Sequence, residues 1–191
     1  MFRTMKDIII AGVPRSGKTT LAKRLSADLG FSICPADAIV STFGKVFPEH
    51  GISHFEDDHT KTCNAFSGFL REFLRHLEYE DTPFIVDVYH VMPHSLADLA
   101  NSYAIVFMGY ASVAPKKKRK HIRRDARPKD WTEDLSDDQL QKLIQRFVDE
   151  SRMMEKACSE VGIPFVDTST GFGSVIQTAC DMLSLSVGED T

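Results

Sequence analysis

The chain has 191 residues, of which 42% are apolar and 26% are charged, and its formal net charge at pH 7 is −4. A chain of this size and composition normally folds as one globular domain. The negative net charge disfavours wholesale nucleic-acid binding, and no apolar stretch approaches transmembrane length. The four cysteines form no C-x-x-C pair, so a zinc or redox site of that kind is not indicated. No long apolar core precedes the first predicted strand, so we expect no signal peptide and a cytoplasmic protein.

Residues 12–19 carry the most informative motif of the chain. They read Gly-Val-Pro-Arg-Ser-Gly-Lys-Thr, which is the pattern G-x-x-x-x-G-K-T. An apolar run at 8–11 precedes them, and a helically spaced segment follows to about Leu29. In this strand–loop–helix context, backbone N–H groups and the positive end of the helix bind phosphate. The motif therefore predicts a nucleoside triphosphate site; the alternative is a glycine-rich turn that binds nothing.

The residue types within this motif predict specific roles. Lys18 is expected to reach the terminal phosphates, and the Thr19 hydroxyl is expected to ligate Mg²⁺. The residues predicted to hold ATP here are Gly12, Pro14, Arg15, Ser16, Gly17, Lys18, Thr19 and Thr20.

A second short strand is predicted at 31–34, and Asp37 comes just beyond it. Ligands of open α/β sheets lie off the carboxyl ends of the strands, so Asp37 is a candidate site residue. The alternative is that it caps a helix beginning at Ala38, and the two roles are compatible.

Residues 44–59 are predicted to form a loop. They carry His50, His54 and His59 and the acidic run 56–58, but the spacing fits no standard metal-ligand pattern. A solvated loop that contacts substrate is the better interpretation. An amphipathic helix is predicted to follow, from about 60 to 79.

The third predicted strand, 84–88, contains one acid, Asp87. A carboxylate in such an apolar strand is costly to bury without a partner, and beside a phosphate-binding loop Mg²⁺ is the expected partner. His90 and His94 follow in the next loop, where binding, capping and packing all remain open.

A strongly basic segment, 116–124, follows the fourth predicted strand at 104–109, with Arg127 and Lys129 just beyond. It could be a lid over ATP, a nuclear-import signal or a solvated charge run. Its position after a strand and before a long helix favours the lid. Arg123 or Arg124 is then expected to stabilise the transferring phosphoryl group, with Arg119 as a lesser candidate.

The last third of the chain predicts a helix, a strand and a helix. A capping box at 136–139 begins the long helix, which ends near Val161. The fifth strand is predicted at 163–166, with 167–169 at its carboxyl end, and the final helix at about 173–185. Five strands alternating with helices indicate a parallel sheet covered on both faces.

These features together resemble the small P-loop kinases of the adenylate kinase, shikimate kinase and gluconate kinase superfamily over nearly the whole length. The run 161–169 is also similar to the closing strand of uncharacterised bacterial small-molecule kinases. The resemblance implies a three-layer α/β fold with five parallel strands in the order 2-3-1-4-5. It also implies a single domain, 1–191, with an acceptor-binding region at about 37–80 and a lid at about 111–135.

The resemblance further implies roles for individual residues. An acid placed like Asp37 binds the acceptor hydroxyl or acts as its base, and one placed like Asp87 serves Mg²⁺. Asp167, Thr168 and Ser169 would lie near the adenine. The chain departs from adenylate kinases because it lacks Asp-Gly-Phe-Pro-Arg after the third strand. It departs from shikimate kinases because a single acid, not Asp-x-Asp, follows the second strand.

The predicted activity is transfer of the γ-phosphoryl group of ATP to a hydroxyl of a small metabolite, with Mg²⁺. Lys18, Asp37, Arg123 and Arg124 are the predicted catalytic residues, and Thr19 and Asp87 the predicted metal ligands. Two alternatives remain: a kinase acting on nucleotides or nucleic-acid ends, and a non-catalytic switch that binds nucleotide. The sequence makes no prediction of oligomeric state.

Overall fold

Strands and helices alternate along the chain in the computed structural model, which describes residues 5–54, 59–80, 82–126, 128 and 130–188. The strands are β1 (Asp7–Gly12), β2 (Ser32–Pro35), β3 (Phe84–Val88), β4 (Tyr103–Gly109) and β5 (Phe165–Asp167). The helices are α1 (Lys18–Leu29), α2 (Ala36–Val46), α3 (His59–Leu77), α4 (Pro115–Arg124), α5 (Asp137–Val161) and α6 (Phe172–Ser186). Short 3₁₀ helices span Pro48–His50 and Pro93–Leu99.

The five strands form one parallel sheet in the order β2-β3-β1-β4-β5, which confirms the predicted order. β1 lies at the centre, and all six of its residues are buried. The register pairs Ile10 with Asp87 and Pro35 with Asp87, so β1, β2 and β3 end side by side. This edge of the sheet therefore gathers the three segments that carry the predicted site.

Apolar side chains fill both faces of the sheet. Ile8 and Ile10 of β1 pack with Leu25 of α1 and Leu183 of α6, whereas Ile9 belongs to the core on the opposite face. Alternate residues of a strand point to opposite faces, so a central strand covered on both faces is apolar along most of its length. Complete burial of each isoleucine contributes about 1.5–3 kcal/mol. The predicted three-layer architecture is confirmed.

The second strand and the helix after it differ from the prediction. β2 extends through Pro35, which an edge strand tolerates because it needs no N–H at its last residue. The N-cap of α2 is Pro35, so Asp37 lies inside the first helical turn, and the prediction of Asp37 as an N-cap is wrong. α2 continues to Val46 and a 3₁₀ helix follows, so the predicted loop at 44–59 is partly helical.

Both ends of the long helix α5 are confirmed. The Ser136 hydroxyl accepts a hydrogen bond from the Gln139 N–H at 3.2 Å, and the Gln139 side chain accepts one from the Ser136 N–H at 2.8 Å. Gly162, at φ 72°, ends the helix in the left-handed conformation that glycine adopts readily. The basic segment, by contrast, forms a helix of its own, α4.

Two groups of residues considered above lie outside the described residues. The acidic run 56–58 is one, and Arg127 with Lys129 is the other. Across the described part of the chain, no helix combines the length and apolar character needed to span a membrane.

Candidate nucleotide and acceptor site

A cavity of about 790 Å³ opens at the carboxyl edge of the sheet. Its lining comes from the loop before α1 and the first turns of α1, the start of α2, the helix α4 with described residues on either side of it, and the loop after β5 with the first residue of α6. The lining includes Arg15, Gly17, Lys18, Thr19, Asp37, Lys118, Arg124, Trp131, Thr168 and Ser169. The predicted ATP-binding loop, the predicted acceptor-binding region and the predicted lid therefore each contribute residues to this one cavity.

The loop between β1 and α1 needs glycine at both ends. Gly12 has φ 126°, and a Cβ there would lie 2.0 Å from the carbonyl oxygen of Met108. Gly17 has φ 103°, and a Cβ there would lie 2.7 Å from the ring of Phe172. Arg15 is the one non-glycine residue with positive φ in the described chain, at 63°. Its strained conformation indicates a loop shaped for a ligand rather than for stability alone.

Lys18, Thr19 and Asp87 form one polar cluster under this loop. The Thr19 hydroxyl donates to Asp87 Oδ2 at 2.6 Å, and Lys18 Nζ lies 3.9 Å from Asp87 Oδ1. Oδ1 is buried and has no hydrogen-bond partner among the described residues. An orphaned carboxylate oxygen beside a hydroxyl matches the oxygen ligands that Mg²⁺ prefers. These residues therefore fit the predicted metal.

Asp37 faces the same cavity from the first turn of α2. Its Oδ1 accepts a hydrogen bond from the Tyr89 N–H at 3.2 Å. Burial raises the pKa of Asp37; the Lys18 ammonium opposes this, and the Asp87 carboxylate adds to the increase. A carboxylate with a raised pKa is better suited to accept a proton than an exposed one.

Two histidines for which the sequence predicted no definite role form a chain that ends at the backbone of Asp37. His54 Nε2 lies 2.9 Å from the Asp37 carbonyl oxygen, and His90 Nε2 lies 2.6 Å from His54 Nδ1. Because a carbonyl oxygen only accepts, His54 must carry a proton on Nε2, and one further hydrogen is shared between His54 Nδ1 and His90 Nε2. Burial lowers the pKa of His90 to about 2, so this ring stays neutral. Their separation by 36 residues left no spacing signal in the sequence.

The other two histidines of uncertain role lie at the surface. The His50 side chain is 60% exposed and contacts Glu49, and the His94 side chain is 58% exposed and contacts Glu160. Neither lines the cavity.

The structure separates the two candidate lid arginines. The Arg123 guanidinium donates to the carbonyl oxygens of Thr132 and Leu135 and contacts Asp137. Arg124 lines the cavity and pairs with its neighbour Asp125 at 2.7 Å. Arg123 therefore holds residues that follow α4, and Arg124, whose side chain is 70% exposed, is the one of the two that lines the cavity.

Direct contacts join α4 and the segment after it to the phosphate-binding loop, and the sequence analysis missed them. The Arg15 guanidinium pairs with Asp130 and lies 5.6 Å from the ring centre of Trp131. Lys118 Nζ donates to the Arg15 carbonyl oxygen at 2.8 Å. Burial raises the pKa of Asp130, but hydrogen bonds from Arg15 and Thr132 outweigh it and hold the pKa at about 2. The Arg15 guanidinium therefore forms an ion pair with Asp130 in this structure.

The loop after β5 contributes Thr168 and Ser169 to the cavity. Thr168 donates to the Gly109 carbonyl oxygen at 2.9 Å, and the Ser169 hydroxyl accepts from the Ser112 N–H at 3.0 Å. Asp167 does not line the cavity; its Oδ1 accepts from the Ser169 N–H at 2.8 Å and so holds the turn.

Three solved structures resemble the chain over nearly its full length. Shikimate kinase from Bacteroides thetaiotaomicron superposes with a TM-score of 0.62, at 16% identity, over 94% of this chain and 99% of that one. Shikimate kinase from Acinetobacter baumannii, in complex with shikimate, gives 0.59 at 16% identity over 96% and 94%. A gluconokinase from Sinorhizobium meliloti gives 0.55 at 16% identity over 97% and 95%.

Comparisons of the sequence with protein-family models and with curated protein sequences yield no match. The superpositions nevertheless cover 94%, 96% and 97% of the chain. The chain therefore has the three-layer fold of the small P-loop kinases, as its sequence motifs predict.

Proposed function

We propose that this protein is an ATP-dependent phosphotransferase that acts on a hydroxyl group of a small metabolite. The observation that carries the proposal is the meeting of Lys18, Thr19 and Asp37 at one cavity beside a glycine-shaped loop. Asp87 lies just beneath, hydrogen-bonded to the Thr19 hydroxyl and 3.9 Å from Lys18 Nζ. The named activities of the structures with the same fold, shikimate kinase and gluconokinase, support the same class of reaction.

Phosphoryl transfer asks little covalent chemistry of the protein, which must position two substrates and neutralise charge. The loop amides and Lys18 would hold the β- and γ-phosphates at the N-terminus of α1. Thr19 and Asp87 would hold Mg²⁺, which when bound neutralises charge on the phosphate oxygens. Asp37 would orient the acceptor hydroxyl and take its proton, with His54 and His90 fixing its backbone from behind.

The lid arginines are expected to differ in their effects on turnover and on structure. Arg124→Gln should lower kcat about tenfold or more, because it removes a cation directed to the cavity. Arg123→Gln should instead expose the segment 130–136 to limited proteolysis, because it removes the bonds to Thr132 and Leu135. Steady-state kinetics and a timed chymotrypsin digest, which can cleave after Trp131 and Leu135, measure both effects in both variants. Equal turnover and equal cleavage of the two variants would contradict the assignment.

The proposed activity is tested by ADP release in Mg²⁺ against pooled acceptors. The pools are sugars and sugar acids, nucleosides and nucleotides, aminoglycosides, and oligonucleotide ends. One small-molecule pool should raise turnover well above the acceptor-free rate. Stimulation by oligonucleotides alone, with a steep fall at higher salt, would favour a nucleic-acid kinase instead. Equal rates in all pools, with Trp131 fluorescence still responding to ATP, would favour a nucleotide-dependent switch.

A further inference from the structure

Lys118 differs from the other lysines of α4 because its side chain is buried. Lys118 is 8% exposed, whereas Lys116, Lys117 and Lys120 are exposed. Its ammonium group donates to the Arg15 carbonyl oxygen at 2.8 Å and lies 4.0 Å from the ring centre of Tyr110. The side chain also forms part of the cavity wall, across from the phosphate-binding loop.

The buried ammonium of Lys118 has no anionic partner. Within the described ranges no carboxylate oxygen lies within 4.0 Å of its Nζ, since it takes part in none of their ion pairs. Among the neighbouring charges, the one with the largest effect on the pKa of Lys118 is that of Arg15, which is positive and is itself paired with Asp130. Burying an ammonium group without an anion is costly, and a carbonyl oxygen and an aromatic face offset only part of that cost. Burial, and then the Arg15 charge, accordingly lower the pKa of Lys118 to about 8.

An anion entering the cavity would complete the environment of this lysine. An ammonium group has three donors, and the Arg15 carbonyl uses one of them. The cavity beside it is walled by Gly17, Lys18 and Thr19, where the phosphate chain is expected.

We propose that Lys118 binds the phosphate chain of the nucleotide as a protonated cation, and that nucleotide binding captures a proton on this side chain. The inference rests on the proposed function, because it requires a nucleoside triphosphate in the cavity. Proton balance is simple: the neutral amine takes one proton from solvent, and the resulting ammonium pairs with a phosphate oxygen. Arginine in the same position would stay charged at every working pH. Lysine therefore makes nucleotide affinity depend on pH.

Several charged groups face Lys118 from the elements packed around it. Arg15 comes from the phosphate-binding loop, Asp125 from the end of α4 and Asp167 from β5. Tyr110, at the end of β4, stays neutral because burial raises its pKa. Further charged groups share the cavity: Lys18, Lys23, Asp37, Lys117, His121, Arg124 and Asp130.

Calorimetric titration with a non-hydrolysable ATP analogue and Mg²⁺ tests the inference. Titrations between pH 7 and 9.5, in buffers of different ionisation enthalpy, give the number of protons taken up. Phosphate groups titrate near pH 6, so they contribute little in this range. The number of protons taken up on binding the analogue should be close to zero at pH 7 and should rise above pH 8. The association constant should fall there, approaching tenfold per pH unit, because the free protein increasingly carries a neutral amine.

Three variants separate this role from a structural one. Lys118→Arg should bind the analogue at pH 9 without taking up a proton. Lys118→Met should bind about tenfold or more weakly at pH 7, again without proton uptake. Its melting temperature should be unchanged or higher, because replacing a buried charge with an apolar side chain is often neutral or stabilising. Lys116→Met, the exposed control, should behave like the wild type in every titration.

The result that overturns the inference is proton uptake above pH 8 that persists in Lys118→Met or Lys118→Arg. A pH-independent affinity of the wild type would overturn it as well, while leaving the phosphotransferase proposal intact. Failure of the wild type to bind the analogue at any pH would overturn both.

Discussion

Lys18→Ala is expected to lower kcat by about 10³-fold or more, the size of loss that follows removal of a cation from a phosphoryl-transfer site. The Lys18 side chain is buried at the start of α1, beside Asp87 and against the Val13 carbonyl oxygen. It is therefore held where charge would develop on the transferred group. Steady-state ADP release with the stimulating acceptor pool measures the change.

The loss must be separated from unfolding, because Lys18→Ala leaves Asp87 without its nearby cation. Lys18→Met keeps the length of the side chain and serves as a second variant, and Lys142→Met, on the exposed face of α5, is the control. Circular dichroism should show folded protein for all three. Turnover at the wild-type rate in a folded Lys18 variant would refute the proposed mechanism.

Asp37→Asn should lower kcat by about 10²–10⁴-fold, the range typical of a lost general base, with little change in the KM for ATP. The asparagine oxygen can still accept from the Tyr89 N–H, so the local structure should persist. Wild-type kcat should fall as pH falls through the raised pKa of Asp37, because the protonated acid cannot accept the acceptor's proton. That acid limb should be absent in Asp37→Asn.

The same pKa shift predicts the direction of the stability change. A carboxyl group whose pKa is raised on folding stabilises the fold at low pH, and this stabilisation is lost as pH rises through the folded pKa. Above its folded pKa the charged Asp37 is therefore destabilising, and Asp37→Asn should melt there at the same temperature or higher. Glu155→Gln, at an exposed position of α5, is the matched control and should change neither property. A slower and less stable Asp37→Asn would instead indicate a structural role.

The motif at 12–19 was sufficient to predict the central strand, the loop and α1, because its chemistry is local. Glycine at both ends allows the turn, and the helix beginning at Lys18 supplies the N–H groups, whatever the remaining chain does. The parallel sheet was accessible for a related reason, since apolar strands alternating with helices fold into a parallel, doubly covered sheet. Its strand order was expected only from the resemblance to small P-loop kinases. The capping box and Gly162 likewise marked the ends of α5 through short-range hydrogen bonds.

Contacts between distant segments were not accessible from the sequence. Pairing of His90 with His54, and of Asp130 with Arg15, depends on how separate loops pack at one edge of the sheet. No spacing rule links such residues.

The basic helix α4 shows the same division between local and distant information. Its composition predicted a positively charged lid but could not tell which of its seven lysines and arginines at 116–124 is buried and which lines the cavity. Packing against the phosphate-binding loop and α5 decided that Lys118 is buried, that Arg123 holds the segment after the helix, and that Arg124 faces the cavity. Backbone chemistry within a few residues thus determined the conformation of the loop at 12–19. Burial and the choice of charged partners, which set the state of each charge, arose only in the tertiary structure.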